Sequence, residues 1–322
     1  MAAGRLPDQP AAQADVAALT DHAERIGASL PAILVEADRV AHTVAQGLHG
    51  RRRAGPGEAF WQFRRYRPGD MAGMIDWRKS ARSTHHLIRE KEWEAANTVW
   101  LWADLSRSMD FRSRLARTSK RDRAILLSLA LGGLLVRGGE RIGVLGSGAA
   151  ASAGRTAVRR AAELMVHGAA GGTSLPPPAA LNRFSNVVLF SDFLEPVEEI
   201  SHALAAIAAR DVRGHLVQVL DPIEESFPFA GRTEFESLGG TLRLIVGRAE
   251  QLRQGYRHRL AEHREQLQEI ARRLEWTFTC HHTDRPPQSI LLTLHGLLAG
   301  EPAIAAGSVE SSGLAGAAEV SR

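Results

Sequence analysis

Short apolar runs alternate with amphipathic stretches from residue 97 onward, and this alternation predicts most of the secondary structure. Because parallel strands are buried on both faces, the apolar runs predict strands at 98–103, 141–145, 186–190, 212–220 and 276–280. Apolar spacings of three and four residues predict helices at 121–136, 156–167, 196–209, 249–274 and 287–298. Strands that alternate with helices are typical of the α/β class. We therefore predict a doubly wound, mostly parallel sheet of the Rossmann type.

The first 96 residues follow a different pattern. Residues 1–30 are rich in alanine and polar residues, which predicts a disordered leader. Apolar positions from 31 to 47 recur at helical spacing, and turn residues then flank a strand-like stretch at 59–66. We predict a helical and basic appendage at 31–96, the sheet domain at 97–300 and a disordered Ala/Gly/Ser-rich tail at 301–322.

The appendage is also the basic part of the chain. The net charge is +4 overall, but the segment between Gly50 and Lys91 has a clear surplus of arginine. Guanidinium groups pair with carboxylates and phosphates, so this segment could contact an acidic partner or pair with its own acidic residues. The candidate partner-contact residues are Arg51, Arg52, Arg53, Arg64, Arg65, Arg67, Arg78 and Arg82.

Cysteine use and hydropathy bear on location. The single cysteine, Cys280, suits a reducing compartment. The longest apolar run, residues 124–136, is shorter than the roughly 20 residues that cross a bilayer. The N-terminus lacks the charged start and apolar stretch of a secretory signal. We expect a cytoplasmic protein without a membrane span.

Oxygen-bearing side chains follow two of the predicted strands. Asp104, Ser106 and Ser108 come directly after strand 98–103, Asp192 follows strand 186–190, and Thr173 lies in a glycine-rich loop between them. Open α/β sheets bind ligands at the carboxyl ends of their strands. A hard cation takes a few such oxygen ligands and keeps several waters. All five residues are therefore predicted ligands of Mg²⁺, or of Mn²⁺ or Ca²⁺ in its place.

The order Asp, Ser, Ser, Thr, Asp resembles the metal-ion-dependent adhesion site of von Willebrand factor A-type domains. The preceding segments RYRPGD (65–70), IDWR (75–78) and SAR (80–82) resemble the signature of the bacterial domain-of-unknown-function family 58, DUF 58. This resemblance implies a von Willebrand factor A-like fold with metal at those five positions. It also implies partnership with a MoxR-type AAA+ ATPase, since members are often encoded beside one.

These features favour a non-catalytic interaction module, and the resemblance implies that it is an adaptor in a chaperone-like or complex-maturation role. A cation held by few protein charges stays electrophilic, so a partner's carboxylate could complete its shell. Two other functions remain open: a Mg²⁺-dependent phosphoester hydrolase at the same loops, and a basic nucleic-acid-binding protein that uses the arginine segment. No evident general base accompanies the ligands, and no recognised nucleic-acid motif accompanies the arginines. The Asp104 loop could also be an ordinary Asx turn or helix cap.

Overall fold

The computed structural model describes residues 30–47, 62–65, 77–81, 87–90, 97–154, 156–169, 173–236 and 243–299. In these ranges the helices are α1 (30–47), α2 (Trp77–Ser80), α3 (Lys120–Arg137), α4 (Ala157–Ala169), α5 (Val197–Ala208), α6 (Pro222–Ser226), α7 (Arg253–Arg273) and α8 (Pro287–Leu298). The strands are β1 (Gln62–Arg65), β2 (Leu87–Glu90), β3 (Thr98–Ala103), β4 (Arg141–Val144), β5 (Asn186–Ser191), β6 (Arg213–Leu220), β7 (Thr233–Glu236), β8 (Arg243–Val246) and β9 (Thr277–His282).

The centre of the fold is a five-stranded parallel sheet with the order β4-β3-β5-β6-β9. The strand β5 at its centre contains a continuous apolar run, residues 187 to 190, that is completely buried. The chain passes from β3 outward to β4 and then returns to the other side of β3 as β5. The strand order therefore reverses between β3 and β5. The predicted doubly wound parallel sheet is confirmed.

Helices cover both faces of this sheet. On one face α1, α3, α4 and α8 pack against inward side chains that include Leu101, Val188 and Val217. On the other face α5 and α7 pack against residues that include Leu189 and Leu216. Helix α3 lies between the sheet and other helices, which explains why it is apolar almost all round.

Helix α1 corrects one predicted boundary. We placed it in the appendage, but its apolar face, including Ala37, Val40 and Val44, belongs to the same core as the sheet. Its Ala41 Cβ lies 3.5 Å from where a Cβ on Gly133 of α3 would stand. The small residues at this contact allow the two helices to approach closely, so the packed unit begins well before residue 97.

Other elements differ from the predictions in detail. The strand predicted at 59–66 is present as β1, which pairs with β2 in an antiparallel sheet. The predicted helix 249–274 begins with a 3-10 turn at Ala249–Leu252 before α7. The antiparallel hairpin of β7 and β8 and the short α6 were not predicted. Phe235 of β7 and Phe227, which follows α6, belong to an aromatic cluster with Phe229 and Tyr256.

Several predictions concern residues that the structure does not describe. These are most of the leader, the tail after residue 299, and Arg51, Arg52, Arg53, Arg67 and Arg82. Arg64 and Arg65 lie in β1, and Arg78 lies in α2. Among the helices in the described ranges, none is long and apolar enough to cross a membrane.

Gly214 of β6 should be intolerant of a side chain. A Cβ there would stand 1.9 Å from the ring of Trp276, whose indole N–H donates to the carbonyl of Val212 at 2.9 Å. Because the ring is buried and held, we expect Gly214→Ala to lower the free energy of unfolding by about 3 kcal/mol or more. Gly247, which has no atom within 4 Å of such a Cβ, provides the control. Equal urea midpoints for Gly214→Ala and Gly247→Ala would contradict this packing.

Candidate metal centre

Asp104 stands at the point where the strand order reverses. It directly follows β3, and its backbone N–H donates to the carbonyl of Phe190 in β5 at 2.8 Å, which extends the ladder between the two strands. Its side chain is completely buried. In open α/β sheets, the crevice between strands at such a reversal is the usual place for a ligand. The predicted position at the carboxyl edge of the sheet is therefore where the structure places Asp104.

The carboxylate of Asp104 is hydrogen-bonded, but none of its hydrogen-bond partners among the described residues is a cation. Oδ1 accepts from the backbone N–H of Ser106 at 2.9 Å, and Oδ2 accepts from the hydroxyl of Ser191 at 2.7 Å. Burial raises the pKa of Asp104 to about 6, although the hydrogen bonds from Ser106 and Ser191 oppose this rise and the charge of Asp192 adds to it. A bound cation would stabilise the ionised form.

Ser106 and Ser108, in the loop that follows Asp104, place two hydroxyl oxygens next to each other. Their Oγ atoms are 3.0 Å apart and are hydrogen-bonded to each other. Mg²⁺ holds octahedral oxygen ligands at roughly 2.1 Å, so neighbouring ligands are roughly 3.0 Å apart. Ser106 precedes the 3-10 turn Arg107–Asp110 but does not cap it with its side chain, so the Ser106 hydroxyl is not used as a helix cap. Ser108 is exposed, which leaves one side of the loop open to solvent.

Asp192 is buried beside this loop but already has a cationic partner. Its Oδ2 accepts a hydrogen bond from the ammonium of Lys120 at 2.9 Å, and its Oδ1 accepts from the N–H of Leu194 at 3.3 Å. The same ammonium donates to Glu224 Oε1 at 2.7 Å. Asp192 is thus part of a buried ion triad, here called the lysine triad: Lys120, Asp192 and Glu224.

Thr173 has its contacts elsewhere. It is exposed, and its hydroxyl donates to the carbonyl of Leu175 at 3.1 Å. It lines a cleft of about 920 Å³ between residues 173–178 and helix α5. Within the described ranges, no hydrogen bond joins Thr173 to the other four predicted ligands, so its part in metal binding stays a prediction.

Three of the predicted ligands therefore fit a hard cation better than Asp192 does. Asp104, Ser106 and Ser108 offer a carboxylate that lacks positive charge and two hydroxyls at the spacing of adjacent ligands. Asp192 offers less, because its Oδ2 is already bonded to the Lys120 ammonium, while Oδ1 accepts from the Leu194 N–H at 3.3 Å. Its part in metal binding, direct or through water, stays a prediction.

Sequence reasoning missed Ser191, Lys120 and Glu224. Ser191 could not be predicted as part of the site, because a serine at the end of a strand does not by itself indicate a function. The sequence did offer a signal for Lys120: the first turn of α3 carries three basic residues, where the helix dipole favours acidic ones. A cluster of that kind indicates that other segments supply the compensating carboxylates.

Comparison with known proteins gives a family but no activity. The sequence model of the family described as "Protein of unknown function DUF58" matches residues 62–266. The uncharacterized proteins Rv1480 of Mycobacterium tuberculosis strain H37Rv and Mb1516 of Mycobacterium bovis are each 32% identical over 222 residues, which cover 64% of this chain and 69% of each relative. A crystal structure of the conserved hypothetical protein BatB from Bacteroides thetaiotaomicron aligns with a TM-score of 0.37 and 14% identity, covering 64% of this chain and 100% of that one.

The pKa of Asp104 predicts a pH-dependent stability in buffer that contains EDTA. The folded-state pKa of about 6 lies above the ordinary 3.8, so the folded protein holds the proton more tightly than the unfolded chain. Ionisation of Asp104 therefore lowers the free energy of unfolding. This loss has its full size well above pH 6 and disappears as the pH falls towards 4. Asp104→Asn removes this loss, so its free energy of unfolding relative to wild type should rise by roughly 3 kcal/mol between pH 4 and pH 8.

Urea unfolding of both proteins across this pH range measures the difference. Glu265→Gln, on the exposed side of α7, is the control and should change little with pH. A wild-type and Asp104→Asn difference that stays constant from pH 4 to pH 8 would show that Asp104 ionises as an ordinary surface carboxylate.

Proposed function

Because the chain belongs to the DUF58 family, whose name assigns no activity, we propose a function from the site itself. The protein is a non-catalytic interaction module that binds a partner through a divalent cation. Asp104, Ser106 and Ser108 hold the cation, and an acidic side chain of the partner protein completes its shell. Mg²⁺ is the expected ion, with Mn²⁺ or Ca²⁺ as substitutes.

The observation that carries this proposal is the state of Asp104. A completely buried carboxylate needs compensation for its charge, from hydrogen bonds, a cation or a metal. Asp104 is completely buried, and the hydrogen bonds from Ser106 and Ser191 leave its pKa near 6. The adjacent hydroxyls of Ser106 and Ser108 would complete one side of a metal shell. A divalent ion at this position supplies both the missing charge and an open position for an oxygen ligand.

The surroundings of the loop favour binding over catalysis. Hydrolysis by an activated water needs a free general base within hydrogen-bond reach of that water. The nearby carboxylates of Asp192 and Glu224 both accept hydrogen bonds from Lys120. The oxygens that accept these bonds, Asp192 Oδ2 and Glu224 Oε1, are therefore already occupied by the ammonium.

The partner is expected to present a carboxylate on a protruding segment. Ser108 is the exposed ligand of the loop, so an incoming Asp or Glu would approach from its side. The family resemblance suggests a MoxR-type AAA+ ATPase as this partner, with the present protein as its adaptor in a chaperone-like or complex-maturation role. The arginine segment, including Arg64, Arg65 and Arg78, is a second candidate contact for acidic groups of the partner.

Metal binding by the full chain tests the first step. Isothermal titration calorimetry with Mg²⁺ should give one site per chain, and Asp104→Asn should lower the affinity by roughly tenfold or more because it removes the ligand charge. Ser108→Ala should also weaken binding. Ser289→Ala is the matched control, since Ser289 is exposed and its hydroxyl donates only to the carbonyl of Pro286.

Association with a MoxR-type AAA+ ATPase from the same bacterium tests the second step. Capture should be lost in EDTA, restored by Mg²⁺ and lost in Asp104→Asn but kept in Ser289→Ala. Metal binding without capture would reject this partner and keep the metal site. Unchanged Mg²⁺ titrations for wild type and Asp104→Asn would reject the metal-dependent function.

A further inference from the structure

The buried ammonium of Lys120 is an unusual feature of the site. Lys120 is only 1% exposed, and lysine is rarely this buried unless its charge is paired. Its Nζ atom lies 2.9 Å from Asp192 Oδ2 and 2.7 Å from Glu224 Oε1. The ring of Phe111 lies on a further side, with its centroid 5.9 Å from Nζ. The ammonium therefore occupies a position lined by two carboxylate oxygens and an aromatic ring, as a bound cation would.

Local helix preferences do not account for this position. Lys120 is the first residue of α3, directly after the N-cap Ser119. The helix dipole disfavours a positive charge there by about 0.3–1 kcal/mol. The residue that suits the N-terminus is Asp122, whose N–H is capped by the Ser119 hydroxyl. Lys120 is held by the surrounding loops against the preference of its own helix.

The carboxylates around the ammonium are themselves fixed. Glu224 Oε2 accepts from the N–H of Asp221 at 2.8 Å and closes a capping box at the start of α6. Asp221 Oδ2 accepts from the N–H of Ser113, in the segment after β3, at 2.8 Å. The carbonyl of Asp192 accepts from Gln218 of β6 at 3.0 Å. Segments that follow β3, β5 and β6 thus build one receptor for a cation.

We propose that the fold contains a second cation position, between Asp192 and Glu224, and that Lys120 is its resident cation. The ammonium occupies Asp192 Oδ2 and thereby confines the exchangeable ion to Asp104, Ser106 and Ser108. This inference deepens the proposed function and rests on it for the identity of the exchangeable ion. Lys120 is a positioning residue that does not touch the partner.

The size of the position indicates which metal would enter if the lysine were absent. The ammonium stands 2.7–2.9 Å from its oxygens. Ca²⁺ takes oxygen ligands at about 2.3–2.6 Å, whereas Mg²⁺ requires about 2.0–2.1 Å and strict octahedral geometry. The vacated position would need less contraction to hold Ca²⁺. Removal of Lys120 should therefore favour Ca²⁺ more than Mg²⁺.

The experiment compares two double variants with equal net charge. Lys120→Met with Glu224→Gln removes the lysine and leaves Asp192 free to bind metal. Lys120→Met with Asp192→Asn removes the lysine and Asp192 together. Calorimetric titration of metal-free full-length protein with Ca²⁺ and Mg²⁺ should show affinity increased by roughly tenfold or more in the first variant, with the larger increase for Ca²⁺. The second variant should show no increase.

A merely structural ion pair gives the opposite expectation, because loss of Lys120 would then weaken or abolish metal binding. No gain in the first variant, or an equal gain in both, overturns the inference. If Lys120→Met with Glu224→Gln does not fold, Lys120→Gln with Glu224→Gln keeps hydrogen-bonding amides in the same volume and is subject to the same criterion. The midpoint of thermal unfolding with and without Ca²⁺ gives an independent measurement, and it should rise most in the variant that retains Asp192.

The outcomes also separate this inference from the proposed function. If wild type binds no metal but the first variant does, the metal-dependent function fails and Lys120 is the only cation of the site. If wild type binds Mg²⁺ through Asp104 and the first variant gains nothing, the function stands and the second position is rejected. If neither protein binds a divalent ion, both proposals fail.

Discussion

The neutralisation of one buried ammonium fixes how three segments meet at the carboxyl edge of the sheet. Lys120 cannot remain buried unless Asp192 and Glu224 stay within hydrogen-bond distance. These residues belong to three different segments, namely the first turn of α3, the loop after β5 and the short helix α6. The requirement therefore sets how α3 enters the core and where α6 lies. Helix α6 has five residues, too few to form alone, so its position depends on this ion contact and on its capping box.

Two neighbouring aspartates consequently have different electrostatic roles. Asp192 accepts a hydrogen bond from an ammonium that belongs to the chain. Asp104 is supported by a serine hydroxyl and a backbone N–H, which are weaker compensation for a buried charge. Burial therefore raises the pKa of Asp104 to about 6. A buried carboxylate whose ionised form destabilises the fold is typical of a functional site, because a bound ligand can stabilise that ionised form.

The sequence predicted the fold well because its strands are buried on both faces. Runs such as 98–103 and 186–190 have few polar residues, and only a parallel sheet covered by helices gives them such an environment. The position of Asp104, Ser106 and Ser108 followed from this, since the carboxyl ends of the strands share one edge. Helix α1 could not be assigned to the core, because periodicity shows that a helix has an apolar face but not what covers it. The β7–β8 hairpin alternates over only four residues per strand, which is too short a signal.

The partners of Lys120 in the lysine triad could not be predicted, for a different reason. Asp192 lies 72 residues and Glu224 lies 104 residues from Lys120 in the chain, and no spacing rule relates a helix N-terminus to the loops after two other strands. A buried ion pair also gives little net stability, since hydrophobic residues of the same volume often stabilise a core as well or better. Stability alone therefore does not account for Lys120. Its distinct effect is geometrical, because the ammonium holds Asp192 and Glu224 in place. Asp104, the buried carboxylate beside the serine hydroxyls, has no ammonium or guanidinium among its described hydrogen-bond partners. An exchangeable cation at the edge of this sheet would accordingly be bound by Asp104.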